Sequence, residues 1–391
     1  MEQKTRPKKS VSMENKWKKI SCILLSAVLL CTAAAGIYWY YVFTYRSVRE
    51  PKTDLIATNR DPALYTLPGQ MKALEKYKML HACVFYQKSE QKEHGTYVIP
   101  GLRATRTLTG NTAHRSSICT SMTPQGIAVT KKYLLISAYC KTKEHNSVLY
   151  LLDKTTHQFK KEVVLGTKAH VGGLAYDDLH EQLWVATHRN GVASVSCVSL
   201  KKVLQYSYPK RKRPLFFDSV YPIYTLKRSS FLTYYENALY VGYFCETKDD
   251  SLVQKFDIKK DGSLKLERES SISDQEGEGR DKDTVQVSDT WIIPYRIQGM
   301  LIHNGMVFFS QSGGCRDSRL VIFTYDEHGK EYKQRDEFME LKMPPQLEQI
   351  NGFGTDLYMV FESAVYAYGA YPITKIDRVL QIEILGTGNK K

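Results

Sequence analysis

One arrangement of short strands returns five times between residues 123 and 368, and this repetition limits the fold more than any other feature of the chain. The clearest copy is TPQGIAVTKKYLLISAYCKTKEHNSVLYLLDKTTHQFKKEVVL, Thr123 to Leu165. It reads as four strands, GIAVT, YLLISAYC, SVLYLLD and FKKEVVL. Short polar turns such as KK and KTTHQ separate them, and β-branched and aromatic side chains fill them. Further copies start at His170 (HVGGLAYDDLHEQLWVATH), Ser229, Ile297 and Leu347. Their second strands are predicted to begin at Tyr133, Gln182, Ala238, Met306 and Asp356, at spacings of 49, 56, 68 and 50 residues. The widest gap holds the acidic stretch Asp274 to Asp283 (DQEGEGRDKD), which reads as an inserted loop.

A four-stranded unit recurring about every 50 residues cannot bury its own faces and must stack on its neighbours, which predicts a radial ring. The expected fold class is therefore all-β, a five-bladed β-propeller. A sixth blade would arise if Cys83–Gln87 and Thr96–Leu108 joined the C-terminal strand Val379–Leu385; otherwise those N-terminal strands would latch the ring shut. The run TPQGIAVT…YLLISAY…SVLYLLD, followed by HVGGLAYD…LWVAT, resembles the repeat grammar of YncE-like and lactonase-like propellers over Thr123 to Asp326. That resemblance implies the fold. It leaves the chemistry open, since such propellers include hydrolases, quinoprotein dehydrogenases and non-catalytic binding proteins.

Ahead of the repeats, Ile20 to Phe43 carries no charge over 24 residues. About 20 apolar residues in a helix cross a bilayer core. Seven Lys/Arg precede the run, Tyr38 to Tyr41 form an aromatic belt at its far end, and Arg46, Arg49 and Lys52 follow. The excess of positive charge before the run places the N-terminus in the cytoplasm. A cleaved signal peptide would use the small residues Thr32 to Ala35, but the apolar stretch continues past them. The expected organisation is a basic tail (1–19), a transmembrane helix (20–43), a stalk with a short helix near Gly69–Leu80 and closing strands (44–117), and the propeller (118–391).

The bilayer is thus the first expected partner. The net charge of +14 favours an anionic envelope polymer as a second, with a small polar ligand as the alternative. Outside a membrane the basic run Pro209 to Pro214 (PKRKRP) reads as an exposed loop, and no nucleic acid is expected.

Inner strands line a propeller's channel, so residues opening them should converge. These are Gln125, His170, Arg296, Gln298 and Glu348, read as ligand-binding, with Glu348 and His170 also the candidates for catalysis. Cys140, Cys245 and Cys315 are predicted to end second strands on the same face, with Cys119, His188 and Asn190 nearby. Metal-dependent hydrolysis by a hard cation asks for several carboxylates, and glycoside hydrolysis for two. Only Glu348 is well placed. Binding without chemistry is therefore the first expectation and a lactonase-, esterase- or glycosidase-like hydrolase the alternative. A soft-metal set of His170 with the three cysteines is weaker than reading them as buried thiols or disulfide halves, so no metal site is assigned. No cofactor is legible.

Overall fold

The computed structural model describes residues 11–40, 67–84, 88–89, 92–93, 96–109, 115–207, 213–248, 250–269, 282–326, 331–368 and 374–384. The basic tail before Val11, Tyr41–Phe43, the stalk to residue 66, most of the basic run (residues 208–212) and most of the acidic loop (274–281) lie outside them. The chain divides into two units, residues 1–49 and 50–391.

The first unit holds one helix, Val11–Tyr40. It starts well before Ile20, inside the lysine-bearing stretch, so helix and apolar run do not share boundaries. Ile23, Leu24, Leu25, Val28, Leu29, Leu30 and Ile37 are all exposed on it. Among the described residues no helix is long and apolar enough to cross a membrane. The transmembrane helix expected over 20–43 is therefore not established here.

The second unit is a five-bladed propeller of four-stranded antiparallel sheets. Blade one comprises Met122–Val129, Tyr133–Cys140, Val148–Asp153 and Phe159–Val164. Blade two comprises Leu174–Asp177, Gln182–Arg189, Val192–Ser199 and Ser219–Pro222. Blade three comprises Phe231–Tyr235, Ala238–Gly242, Leu252–Asp257 and Asp289–Ile292. Blade four comprises Ile297–His303, Met306–Gln311, Ser318–Asp326 and Glu331–Met343. Leu347–Phe353, Asp356–Phe361 and Arg378–Glu383 make three strands of blade five. All five second strands begin at the residues read from the sequence. The wide spacing between blades three and four comes from an extra hairpin, Leu266–Glu269 paired with Lys282–Val285, inserted before the last strand of blade three.

Among the described residues no sixth blade forms, because the N-terminal strand is used elsewhere; residues 85–87 of the expected Cys83–Gln87 segment lie outside them. Thr96–Val98 becomes the fourth strand of blade five, pairing Val98 with Arg378, Tyr97 with Val379 and Thr96 with Leu380. Closing a ring with strands from opposite chain ends removes an exposed sheet edge. Thr105–Thr109 and Arg115–Cys119 form a separate two-stranded hairpin ahead of blade one, bridged to the loop after blade one's second strand through Thr109 and His145.

Two short helices, Leu67–Leu74 and Lys78–Cys83, replace the single one expected. Leu74, Tyr77 and Leu80 are buried in one cluster with Phe361, Ile376 and Leu380. Gln70 locks the docking through two backbone bonds. Its Nε2 donates to Lys375 O at 3.1 Å, and its Oε1 accepts from Asp377 N at 3.1 Å.

Between blades, apolar faces interlock. Phe231, Phe308, Phe309 and Trp184 are fully buried, each stabilising the ring by roughly 1.5–3 kcal/mol relative to exposure. Nearer the axis the inner strands approach so closely that only glycine fits at several points, Gly173 and Gly299 among them. A Cβ on Gly173 would lie 2.5 Å from Leu232 N, and one on Gly299 would lie 2.8 Å from Gln349 Cα.

Gln349 plugs the axis. Its Oε1 accepts from Ile127 N (2.9 Å) and Leu174 N (2.8 Å), while its Nε2 donates to Leu174 O (2.8 Å) and Leu232 O (2.9 Å). One fully buried side chain on blade five thereby joins the inner strands of blades one, two and three, with its full complement of amide hydrogen bonds made.

Candidate functional site: the mouth of the channel

Where the inner strands begin, the ring opens into a cavity of about 720 Å³. Gln125, His170, Gln298 and Glu348 all line it, together with His188. Arg296 is not among the lining residues. Its backbone takes a φ of +59°, its N donates to Cys245 O at 2.7 Å, and its guanidinium pairs with Glu246 at 2.8 Å. Asn190, with φ of +52°, sits in the turn beside Gly191, which does line the cavity.

The floor carries a second carboxyl group that inner-strand reasoning missed. Glu362 follows the second strand of blade five, and its N donates to Gln346 O at 3.1 Å. This bond sets it beside Glu348 across the ladder. The two acids are hydrogen-bonded to each other, and burial drives both carboxyl pKa values up, with Glu348 raised well above the usual range. Glu362 is held lower than its partner by hydrogen bonds from Tyr368, Gln125 and Glu348 and by the charge of Lys141. Two like charges in contact disfavour double ionisation, so the pair favours holding a proton, and Glu348, the more strongly raised, is the carboxyl that holds it in preference to Glu362. Gln125 completes the floor, its Nε2 donating to Glu362 Oε2 at 2.7 Å and to Pro124 O at 2.8 Å. Lys141 Nζ lies 3.9 Å from the Tyr368 ring centroid, in cation–π range.

His170 tilts against Tyr139 at a centroid distance of 4.3 Å. Desolvation, then the nearness of His188 and Lys143, pushes its pKa down to about 4. It faces the cavity as a neutral imidazole at physiological pH, able to donate from one nitrogen and accept at the other.

The rim is cationic. Lys141, Lys143, Lys168, Lys227 and Arg228 line it. Lys227 is matched by Asp250 at 2.9 Å; among the described residues no ion pair engages Lys143, Lys168 or Arg228. The site is thus a positive collar above a hydrogen-bonded acid pair, Glu348 buried and Glu362 part-buried.

The cysteines do not gather around His170. Cys140 ends its strand as expected, whereas Cys245 and Cys315 fall beyond the ends of theirs. Cys140 lies instead with Cys119 and His145. All three cysteines that were expected to share a face, and Cys119, are free thiols.

No protein-family model matches the sequence, and no curated protein matches it. The likeness to YncE-like and lactonase-like propellers stays at the level of blade grammar. Among solved structures, a chain of a nidogen/laminin complex overlaps at TM-score 0.36 and 8% identity, covering 68% of this chain and 86% of that one. A functionally unknown protein from Desulfotomaculum acetoxidans overlaps at TM-score 0.36 and 13% identity, covering 68% and 73%. Overlaps this loose carry no weight; the five-bladed assignment rests on the sheet topology.

Proposed function

We propose that this protein is a membrane-anchored, extracytoplasmic binding propeller whose channel mouth receives an anionic, hydroxyl-bearing ligand, such as a segment of an envelope polymer. The observation that carries the reading is a cationic rim, three of whose charges engage no ion pair among the described residues, above a floor of hydrogen-bonding groups. Lys143, Lys168 and Arg228 attract negative charge, while Gln125, Gln298, His170 and Glu362 offer polar contacts beneath. Anchoring is supported by the uncharged run Ile20–Phe43, by the exposed apolar side chains along the N-terminal helix, and by the positive charge that precedes them. On this reading the full chain will sediment with membranes, resist carbonate extraction, and present the propeller to protease only from the outer side. Recovery in the soluble fraction overturns that half of the reading.

For the ligand, the full chain in detergent should bind soluble polyglycerol phosphate, with an affinity that falls steeply as salt is raised. Lys143→Glu, Lys168→Glu and Arg228→Glu combined should weaken binding roughly tenfold or more, on the order of 1.4 kcal/mol. Equal binding by the charge-reversed protein, or no salt dependence, rejects the rim as the binding surface.

The hydrolase alternative is favoured by one observation, the proton-sharing pair Glu348–Glu362 in a cavity, since shifted carboxyl groups mark sites of acid–base chemistry. Glycosidase geometry fits poorly. Its two carboxyls stand about 5 Å or more apart to flank a sugar, whereas these touch. Turnover of an ester or lactone panel that disappears in Glu362→Gln would promote this reading.

A further inference from the structure

We propose that Cys119, Cys140 and His145 form a binding site for one thiophilic d10 cation, zinc or copper(I), that staples the ring-closing segment to blade one.

The three side chains come from separate pieces of chain. Cys119 ends the hairpin ahead of blade one, Cys140 ends the second strand of blade one, and His145 lies in the loop that follows. Their ligand atoms all fall within 4.8 Å of one another, with Cys140 Sγ and His145 Nδ1 at 3.4 Å. A tetrahedral zinc with bonds of about 2.3 Å to sulfur and 2.0 Å to nitrogen spaces such ligands at roughly 3.5–3.8 Å. The cluster already approximates one face of that tetrahedron. Both cysteines are buried, His145 only partly so, which leaves the fourth corner to water or to the Ser121 hydroxyl. That oxygen lies 3.5 Å from Cys119 Sγ and 3.3 Å from Cys140 Sγ.

A second feature points the same way. The far nitrogen of His145, Nε2, lies 3.1 Å from Ser117 Oγ. An outer hydrogen bond of this kind fixes the ring's orientation and tautomer and leaves Nδ1 to face the sulfurs, as metal-ligating histidines require. The hairpin is already docked on the same loop. Asn146 N donates to Leu108 O at 2.9 Å, and Thr107 Oγ1 donates to Asn146 O at 2.8 Å. Ligands are thus held before any ion arrives. Two thiols and an imidazole select soft or borderline cations over magnesium or calcium. Since Thr96–Val98 closes blade five just upstream of the hairpin, an ion here would tie the closing strand's continuation to the first blade.

The test uses the full chain, purified in detergent, reduced and freed of metal by chelation. Cobalt(II) serves as a coloured probe. One equivalent should produce thiolate-to-cobalt charge-transfer absorption, and zinc or copper(I) should displace it, the tighter competitor naming the ion. Cys119→Ser, Cys140→Ser and His145→Ala should each abolish or strongly weaken that absorption, whereas Cys245→Ser should retain it. Saturating zinc should raise Tm by roughly 3–6 °C in the parent protein and not in Cys140→Ser. Cobalt uptake without thiolate absorption overturns the site, as does its persistence in the Cys119→Ser/Cys140→Ser double variant. Peptide mapping that finds Cys119 joined to Cys140 in a disulfide, in protein isolated without reductant, overturns it as well.

Discussion

Replacing Gln349 by methionine is expected to cost about 4 kcal/mol or more of stability, or to prevent the ring from assembling. Methionine matches the volume, so the change removes hydrogen bonds without opening a large cavity. Four backbone groups, Ile127 N, Leu174 N, Leu174 O and Leu232 O, lose their partner at the axis. Each buried group left unpaired costs about 1–3 kcal/mol, and the tight approach at Gly173 leaves little room for water to replace the amide. Urea unfolding followed by circular dichroism measures the loss. A midpoint within experimental error of the parent's would mean the inner strands hold together without this hub.

Glu348→Gln is expected to act in the opposite direction. Burial raises the Glu348 carboxyl well above its ordinary value of 4.5, so above that pH the native state holds a proton that the unfolded state has released. By linkage, stability falls as pH rises from the ordinary carboxylate range towards the native value. Glutamine keeps the shape and still donates to Glu362, but has nothing to ionise. The variant should therefore match the parent near pH 4 and exceed it at pH 7–8, by roughly 2–6 °C in Tm. Parallel Tm–pH curves for the two proteins would show that Glu348 is not the proton holder. Glu362→Gln should behave differently, because it replaces one of the two acceptor oxygens shared by Gln125, Tyr368 and Glu348 with a donor, leaving at least one of them without its partner. Loss of stability at neutral pH is the expected result.

The blades were legible because a strand with a polar turn on each side announces itself locally. YLLISAYC and LYMVF are bounded by charged or glycine-bearing turns, and their starts came out at the residues expected. The floor of the site was half legible. Gln125, Gln298 and Glu348 stand at the expected starts of inner strands, and the rule that such starts converge on the channel was enough to find them. Glu362 was not, since it closes a second strand and meets Glu348 only through the bond to Gln346, a consequence of pairing register. Gln349 was hidden for another reason. A glutamine between a glutamate and an isoleucine looks like surface alternation until ring closure brings the inner strands of three other blades around it. Arg296 failed through its left-handed backbone, which swings the side chain to Glu246. The Cys119–Cys140–His145 cluster depends on a hairpin docking against a loop, and no spacing within one segment carries that information.

The strand that closes blade five gives the fold a calendar. Thr96–Val98 leaves the ribosome long before its partners Arg378–Leu380, so blade five cannot be completed until all four other blades and its own three strands have been made. Loop closure across most of a chain is entropically slow to find. The helices Leu67–Leu74 and Lys78–Cys83 face the same wait, because Phe361, Ile376 and Leu380 form their seat. Losing the segment from Arg378 onward would leave four finished blades and strand the ring's first-made pieces without a place to land.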